Sequence, residues 1–130
     1  MKNIQDYWEA VIRKQADTIK KYFHSEVKIQ WHNTNESFTV EEFIRANCEY
    51  PGEWMGKIER MEKVGDLTIT VTRVEECRQK NSFHAISFIR WEGDKIISID
   101  EYWGEDGDVP EWRKEKKIGE PIDKNPKKSP

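Results

Sequence analysis

The 130-residue sequence lacks several features that would place it in a special class of protein. No apolar run approaches the roughly 20 residues that a membrane-spanning helix needs, and the N-terminus, MKNIQDYWEA, lacks the apolar core of a secretory signal. Cys48 and Cys77 stand alone, without CxxC spacing and without a disulfide-rich context. These absences predict a cytoplasmic protein whose two thiols are structural.

Signatures of metal and cofactor binding are also absent from the sequence. Its three histidines show neither HxH nor HxxxH spacing, so there is no zinc signature. Asp106-Gly107-Asp108 lacks the remaining ligands of a calcium loop. The sequence has no glycine-rich phosphate loop and no GxSxG nucleophile elbow. We therefore expect the protein to use no metal and no cofactor.

Net positive charge is confined to the C-terminus. The formal net charge is −3, but residues 114–130 hold six lysines against three acidic residues, so residues 1–113 carry −6. An acidic body repels phosphate backbones, which argues against nucleic acid as a partner. We expect one domain over residues 1–113 and a flexible, lysine-rich tail over residues 114–130, which contain three prolines.

Aromatic residues compensate for a low apolar content. Only 35% of the residues are hydrophobic and 36% are charged, yet 12% are aromatic. Aromatic side chains bury large areas, so a core built on them supports a folded domain. From Asn3 to Phe23 apolar residues recur at spacings of three and four. This pattern predicts one amphipathic helix, or two with a break near Ala16-Asp17 and Asp17 as the second N-cap.

The next segment predicts a strand, a loop and a short helix. Residues 26–32 alternate between polar and apolar side chains, as a half-buried strand does. Residues 33–37 have the composition of a loop. Thr39 precedes Glu42 by three positions, which is the spacing of a helix capping box. Tyr50-Pro51-Gly52 then ends the helix.

The segment from residue 53 to residue 103 predicts a run of antiparallel strands. Its stretches are rich in β-branched residues and alternate in polarity. Gly65-Asp66 and Gly93-Asp94 are typical of hairpin turns. Helices followed by strands indicate an α+β fold in which helices cover one face of a curved antiparallel sheet.

Four segments are typical of one group of small proteins: Trp31-His32-Asn33-Thr34-Asn35, Tyr50-Pro51-Gly52, Asp100-Glu101-Tyr102-Trp103-Gly104 and Pro110-Glu111-Trp112-Arg113. With this order of elements the chain resembles the nuclear transport factor 2-like superfamily, and most of all its SnoaL-like branch, over about residues 3–113. The resemblance implies a cone-shaped antiparallel sheet on N-terminal helices, a deep pocket inside the cone and a homodimer formed through the open sheet face. Because isomerases, dehydratases, hydrolases, cyclases and binding domains share this fold, the resemblance does not define the chemistry.

The ketosteroid isomerase members of this superfamily use a carboxylate base, a tyrosine and a protonated aspartic acid. By this resemblance the tyrosine position falls near Tyr7, the base position at or beside Trp31, and the protonated-acid position near Ser87. An indole cannot abstract a proton, and a serine is not a carboxylic acid. We therefore do not expect that mechanism in this protein.

A substitute set of acid–base groups consists of His32, His84, Asp100 and Glu101, since histidines and shifted carboxyls transfer protons near neutral pH. Each also has a structural interpretation. His84 is typical of a hydrogen-bonded structural or interface histidine, and His32-Asn33 of a pair that fixes a loop. A buried Glu101 needs a partner or a proton, and Arg73 or Arg90 would supply an ion pair.

Two registers of the last hairpin remain open, and they decide which candidates face the pocket. A two-residue turn pairs Trp91 with Ile96 and places Ser87 on the face of Asp100. An added bulge pairs Trp91 with Ile97 and places Ser87 on the face of Glu101 and Trp103. We favour the second register because it gathers several apolar side chains on one face: Ala85, Ile89, Trp91, Ile97 and Ile99.

The leading hypothesis is a homodimer that binds a small, mostly apolar organic molecule in an aromatic-lined pocket. One alternative is a lyase, isomerase or cyclase that uses a histidine and a carboxylate, and another is a protein-interaction module. Trp8 and Trp112 are expected to clamp the first helix to the C-terminal segment. The candidate ligand-binding residues are Trp31, Asn33, Tyr50, Trp54, Ser87 and Trp103.

Overall fold

A computed structural model describes residues 3–78 and 81–123 as four helices and one six-stranded sheet. Within those residues no helix is long and apolar enough to cross a membrane. The elements are α1 (Ile4–Ile12), α2 (Ala16–Lys20), β1 (Phe23–Trp31), β2 (Glu36–Phe38), α3 (Val40–Cys48), β3 (Trp54–Val64), β4 (Leu67–Glu76), β5 (Ser82–Glu92), β6 (Lys95–Glu105) and α4 (Glu111–Lys116).

The N-terminal amphipathic segment forms two helices. The side chain of Asn3 caps α1 by accepting a hydrogen bond from the backbone N–H of Asp6 at 3.1 Å. The chain leaves the helical conformation at Lys14, whose φ is +58°. Helix α2 then starts after Gln15, which makes no side-chain cap. The predicted cap at Asp17 is wrong, because Asp17 lies inside the first turn of α2.

The sheet has the strand order β2-β1-β6-β5-β4-β3. All neighbouring strands are antiparallel except β1 and β6, which run parallel. Gly65 and Gly93 have φ values of +59° and +62°, so both predicted hairpin turns are confirmed. Glu36 and Ser37, predicted to be loop, lie in β2 and pair with β1.

Helix α3 begins and ends where the sequence predicts. Thr39 Oγ1 accepts from the backbone N–H of Glu42 at 3.1 Å, and Glu42 Oε1 accepts from the backbone N–H of Thr39 at 2.9 Å. The helix ends at Cys48, shortly before Gly52, whose φ is +96°. The capping box therefore fixes the start of the helix that closes one side of the core.

The core lies between the first three helices and one face of the sheet, called the inner face below. Trp8 and Trp91 are buried there, and their indole N–H groups donate to Thr70 and Thr68 at 3.2 and 3.1 Å. The predicted clamp between Trp8 and Trp112 is wrong, because Trp112 is 58% exposed. Trp112 lies on α4, which crosses the predicted boundary at residue 113/114. Residues 124–130 of the predicted tail lie outside the described residues.

Candidate functional site

A cavity of about 540 Å³ opens between α1, α3 and the inner face of the sheet. Eight of its lining side chains are aromatic, and they come from both helices, from β1, β3, β5 and β6, and from the loop before β3. Cavities of this size and lining are typical of sites for small organic molecules. The candidate residues that line it are Trp31, Tyr50, Trp54, Glu101 and Trp103.

The register of β5 and β6 turns Glu101 into the cavity. Ser87 pairs with Glu101, as the favoured register predicts. The turn itself is the two-residue type, since Trp91 pairs with Ile96 rather than with Ile97. The bulge comes after that pair, leaving Ile97 without a partner in β5. Because Ile97 is an extra residue, every later side chain of β6 lies on the opposite face from the one it would occupy without the bulge.

Glu101 is a buried carboxyl at the inner end of the cavity, with only 6% of its surface exposed. Ser87 Oγ donates to Glu101 Oε2 at 2.5 Å from the next strand. The expected arginine partners pair elsewhere, Arg90 with Asp66 at 3.0 Å and Arg73 with Glu75 at 3.3 Å. Burial raises the pKa of Glu101 from 4.5 to about 7, against the opposing effects of the Ser87 hydroxyl and the Trp31 indole.

Trp31 and Tyr7 line the same cavity as Glu101 and interact with it electrostatically. Trp31 pairs with Glu101 across β1 and β6, which places both side chains on the inner face. Its indole lies close enough to lower the pKa of Glu101, yet the buried Nε1 has no hydrogen-bond partner of ordinary geometry among the described residues. Burial, and then the charge of Glu101, raise the pKa of Tyr7, so Tyr7 stays a neutral phenol.

The aromatic rings of the cavity wall meet at steep angles. Trp31 and Trp103 lie at 85° with their centroids 6.4 Å apart, and Trp103 and Phe83 at 52° and 5.8 Å. Phe83 and Trp54 continue the wall at 61°, and Tyr50 stacks on Trp54 at 29°. Sequence reasoning missed Phe83, although its alternation with the buried Ala85 and Ser87 places it on the inner face.

His32 and Asp100 form a pair on the opposite, outer face of the sheet. His32 Nε2 lies 2.7 Å from Asp100 Oδ1, and the imidazole stacks on Tyr102 at 4.5 Å. Asn33 Oδ1 accepts from the backbone N–H of Trp103 at 2.8 Å, so this side chain fixes the loop after β1. None of these three polar residues lines the cavity.

His84 also lies on the outer face, inside a small polar network. Its Nδ1 is 2.5 Å from Asp106 Oδ1, and its Nε2 is 3.0 Å from Glu59 Oε1. Both ring nitrogens are therefore occupied. Of the three histidines, all in described residues, none lines the cavity. Within residues 3–78 and 81–123, no group of three or more His, Cys, Asp or Glu side chains could hold a metal ion.

Solved structures of other proteins share this fold. An NTF2-like protein of unknown function from Burkholderia xenovorans has a TM-score of 0.73 at 15% identity, with 92% of each chain covered. A proposed ketosteroid isomerase from Kribbella flavida has a TM-score of 0.74 at 16% identity, covering 92% of this chain and 87% of that one. A proposed SnoaL-like polyketide cyclase from Shewanella putrefaciens has a TM-score of 0.63 at 12% identity, covering 74% and 73%. No protein-family model and no curated protein matches the sequence.

These similarities define the fold of the chain. It has the α+β architecture of the nuclear transport factor 2-like proteins, with a curved six-stranded sheet packed on N-terminal helices. The predicted resemblance to this superfamily and to SnoaL-like proteins is confirmed at the level of structure. At sequence identities this low, the similarity establishes the fold of the chain but not its chemistry.

Proposed function

We propose that this protein binds a small, mostly apolar organic molecule whose polar group meets Glu101. The observation that carries this proposal is a cavity of about 540 Å³ with aromatic walls and one buried carboxyl. Ligand pockets commonly combine apolar surface, which supplies affinity, with a few polar groups, which fix orientation. Glu101, Tyr7 and Trp31 supply polar groups in the cavity wall, and Ser87 donates to the carboxyl from the next strand.

The binding proposal is tested by removing single rings from the cavity wall. We expect Trp54→Ala and Trp103→Ala each to weaken binding of the neutral fluorophore N-phenyl-1-naphthylamine by about tenfold, because each removes a large apolar contact. Trp112→Ala is the matched control, since this tryptophan is exposed on α4. Fluorescence titration measures all three variants. Unchanged affinity in both cavity variants would contradict the assignment of the pocket.

A second candidate function is proton transfer by Glu101 in an isomerase, lyase or cyclase reaction. The observation that favours it is a cavity carboxyl with a pKa of about 7, because a general acid or base works best near the operating pH. Tyr7 is the neutral donor in the same cavity. The histidine–carboxylate pair of His32 and Asp100 lies on the outer face, so Glu101 and Tyr7 replace it in this proposal.

The catalytic proposal is tested without knowledge of the natural substrate. We expect the protein to accelerate exchange of the α-protons of cyclohexanone in D₂O, measured by NMR. The rate is expected to rise with pH and to level off above about 7, as Glu101 ionises. Glu101→Gln abolishes the effect and Asp100→Asn retains it. Exchange at the same rate in the Glu101→Gln variant would exclude Glu101 as the base.

The outer face of the sheet is the surface we assign to a second copy of the chain. Ile86 and Tyr102 are adjacent there, 38% and 43% exposed, and Phe88 contacts Tyr102 with ring centroids 6.1 Å apart. Adjacent exposed apolar side chains mark an interaction surface, and self-complementary contacts of this kind form symmetric dimers. A binding partner of another kind would make the protein an interaction module instead.

The dimer proposal predicts a change of mass on one substitution. Ile86→Glu places a charge at the centre of the outer face, so we expect a monomer by native mass spectrometry where the natural chain is a dimer. Ile118→Glu, at an isoleucine exposed in the C-terminal segment, is the control and leaves the dimer intact. A natural chain that is monomeric at micromolar concentration would contradict the proposal.

A further inference from the structure

The wall of the cavity is built from aromatic rings at different inclinations. Trp103 is inclined by 85° to Trp31 and by 52° to Phe83, and all three rings line the same cavity. The face of an aromatic ring carries negative partial charge and attracts cations. Several rings around one space are a recurring way for proteins to hold alkylated ammonium groups.

The charges that line the cavity also favour a cation. Glu101 lies at the inner end and Glu105 at the rim, and Asp106 is hydrogen-bonded to Ser82 at 2.6 Å. Among the described residues that line the cavity, Lys14 is the one with a cationic side chain. Its ammonium group donates to the backbone carbonyls of Tyr50 and Gly52, and no ion pair joins it to Glu101 among the described residues.

We propose that the cavity binds an organic amine in its cationic form, with the ammonium group between the carboxylate of Glu101 and the rings of Trp31 and Trp103. The inference rests on the proposed function, because it names the class of molecule that the cavity would take. A bound cation supplies the positively charged partner that this carboxyl lacks among the described residues, where its recorded hydrogen bond comes from the Ser87 hydroxyl. The remaining apolar part of the amine would contact Phe83 and Trp54.

Binding of a cation should be linked to loss of a proton from Glu101. The free protein holds this proton up to about pH 7, because burial disfavours the carboxylate. A neighbouring ammonium group favours the carboxylate, so affinity rises with pH until Glu101 is ionised in the free protein as well. The other titratable groups lining the cavity are Tyr7 in α1, Lys14 after α1, Tyr50 before β3, and Glu105 and Asp106 at the rim. Helix α3 contributes side chains that do not titrate: Phe43, Ala46 and Asn47.

Choline and its uncharged isostere 3,3-dimethylbutan-1-ol test the inference. They have nearly the same shape and differ in the ammonium charge, and binding to the full chain is followed by the shifts of the ¹⁵N-labelled indole groups. We expect choline to bind at least tenfold more tightly than the isostere at pH 8. From pH 8 to pH 5.5 its affinity should fall by about 30-fold, which is the loss of ionised Glu101 for a pKa of about 7.

Two variants with equal changes in charge complete the design. Glu101→Gln should remove both the preference for choline and its dependence on pH. Asp100→Asn removes the neighbouring carboxylate, which lies on the outer face, and should leave both unchanged.

The possible results separate this inference from the proposed function. The amine inference is overturned if choline and the isostere bind with equal affinity, or if the affinity of the natural chain for choline does not change with pH. In either case binding of N-phenyl-1-naphthylamine would leave the proposed function standing. If choline, the isostere and N-phenyl-1-naphthylamine all fail to bind, the proposed function is overturned together with the amine inference.

Discussion

The Glu101→Gln variant is expected to gain stability relative to the natural chain as the pH rises from 5 to 8. In the folded protein the pKa of Glu101 is raised from 4.5 to about 7 by burial. Between these values the unfolded chain releases the proton while the folded chain retains it, so the free energy of unfolding falls as the pH rises. At about 1.4 kcal/mol per pKa unit the natural chain loses about 2.5 kcal/mol between pH 5 and pH 8. Glutamine does not titrate and avoids the loss.

Urea unfolding at pH 5, 6, 7 and 8 measures this effect at one fixed protein concentration. We expect the difference in unfolding free energy between Glu101→Gln and the natural chain to change by about 2.5 kcal/mol across the series. Asp100→Asn serves as the control, because an exposed pair such as Asp100 with His32 contributes about 1 kcal/mol or less. A difference that stays constant from pH 5 to pH 8 would show that Glu101 titrates as an exposed carboxyl.

The expected loss of stability is itself an argument for function. Glu101 lies on the inner face of β6 between Ile99 and Trp103, where an apolar side chain would pack without desolvating a charge. A buried group that costs stability at neutral pH is typical of a binding or catalytic site, because such groups are positioned for a partner rather than for packing. The same carboxyl therefore links the binding, catalytic and amine proposals.

Local signals made most of the fold predictable from the sequence. The capping box of Thr39 and Glu42 and the turns at Gly65 and Gly93 involve residues a few positions apart, and each is found in the structure. The parallel pairing of β1 with β6 joins residues about 70 positions apart, such as Trp31 and Glu101. No local pattern in the sequence encodes such a contact. The short β2 is defined in the same way by its pairing with β1, so its own sequence resembles a loop.

The prediction of the candidate site depends on the position of the bulge in β6, which the sequence leaves open. Ile96 and Ile97 are both apolar, so alternation alone does not reveal which of them stands opposite Trp91. The position of the bulge decides whether Asp100 or Glu101 enters the cavity, and a shift of one residue exchanges them. Trp103 follows the same bulge and changes face together with Glu101, whereas Trp31 and Trp54 lie on other strands.

The replacement of Ile89 by alanine tests which face of β5 lies against the helices, and so on which face its partners in β6 lie. Ile89 is fully buried on the inner face of β5, where it pairs with Thr68 on β4 and with Ile99 on β6. Removing its buried atoms leaves a void that the packed core fills only in part. We therefore expect Ile89→Ala to lower the free energy of unfolding by about 3 kcal/mol, measured by urea unfolding.

Ile86→Ala is the matched control, because it makes the same substitution on the same strand but on the outer face. Ile86 is 38% exposed, and we expect its loss to cost less than about 1 kcal/mol in the monomer. Repeating the unfolding at several protein concentrations shows how much of the loss of stability at Ile86 comes from weaker association of two chains. Ile89 and Glu101 lie on the same face through the pairs Ile89–Ile99 and Ser87–Glu101. A larger cost at Ile86 than at Ile89 would therefore move Glu101 to the outer face and remove the carboxyl from the cavity.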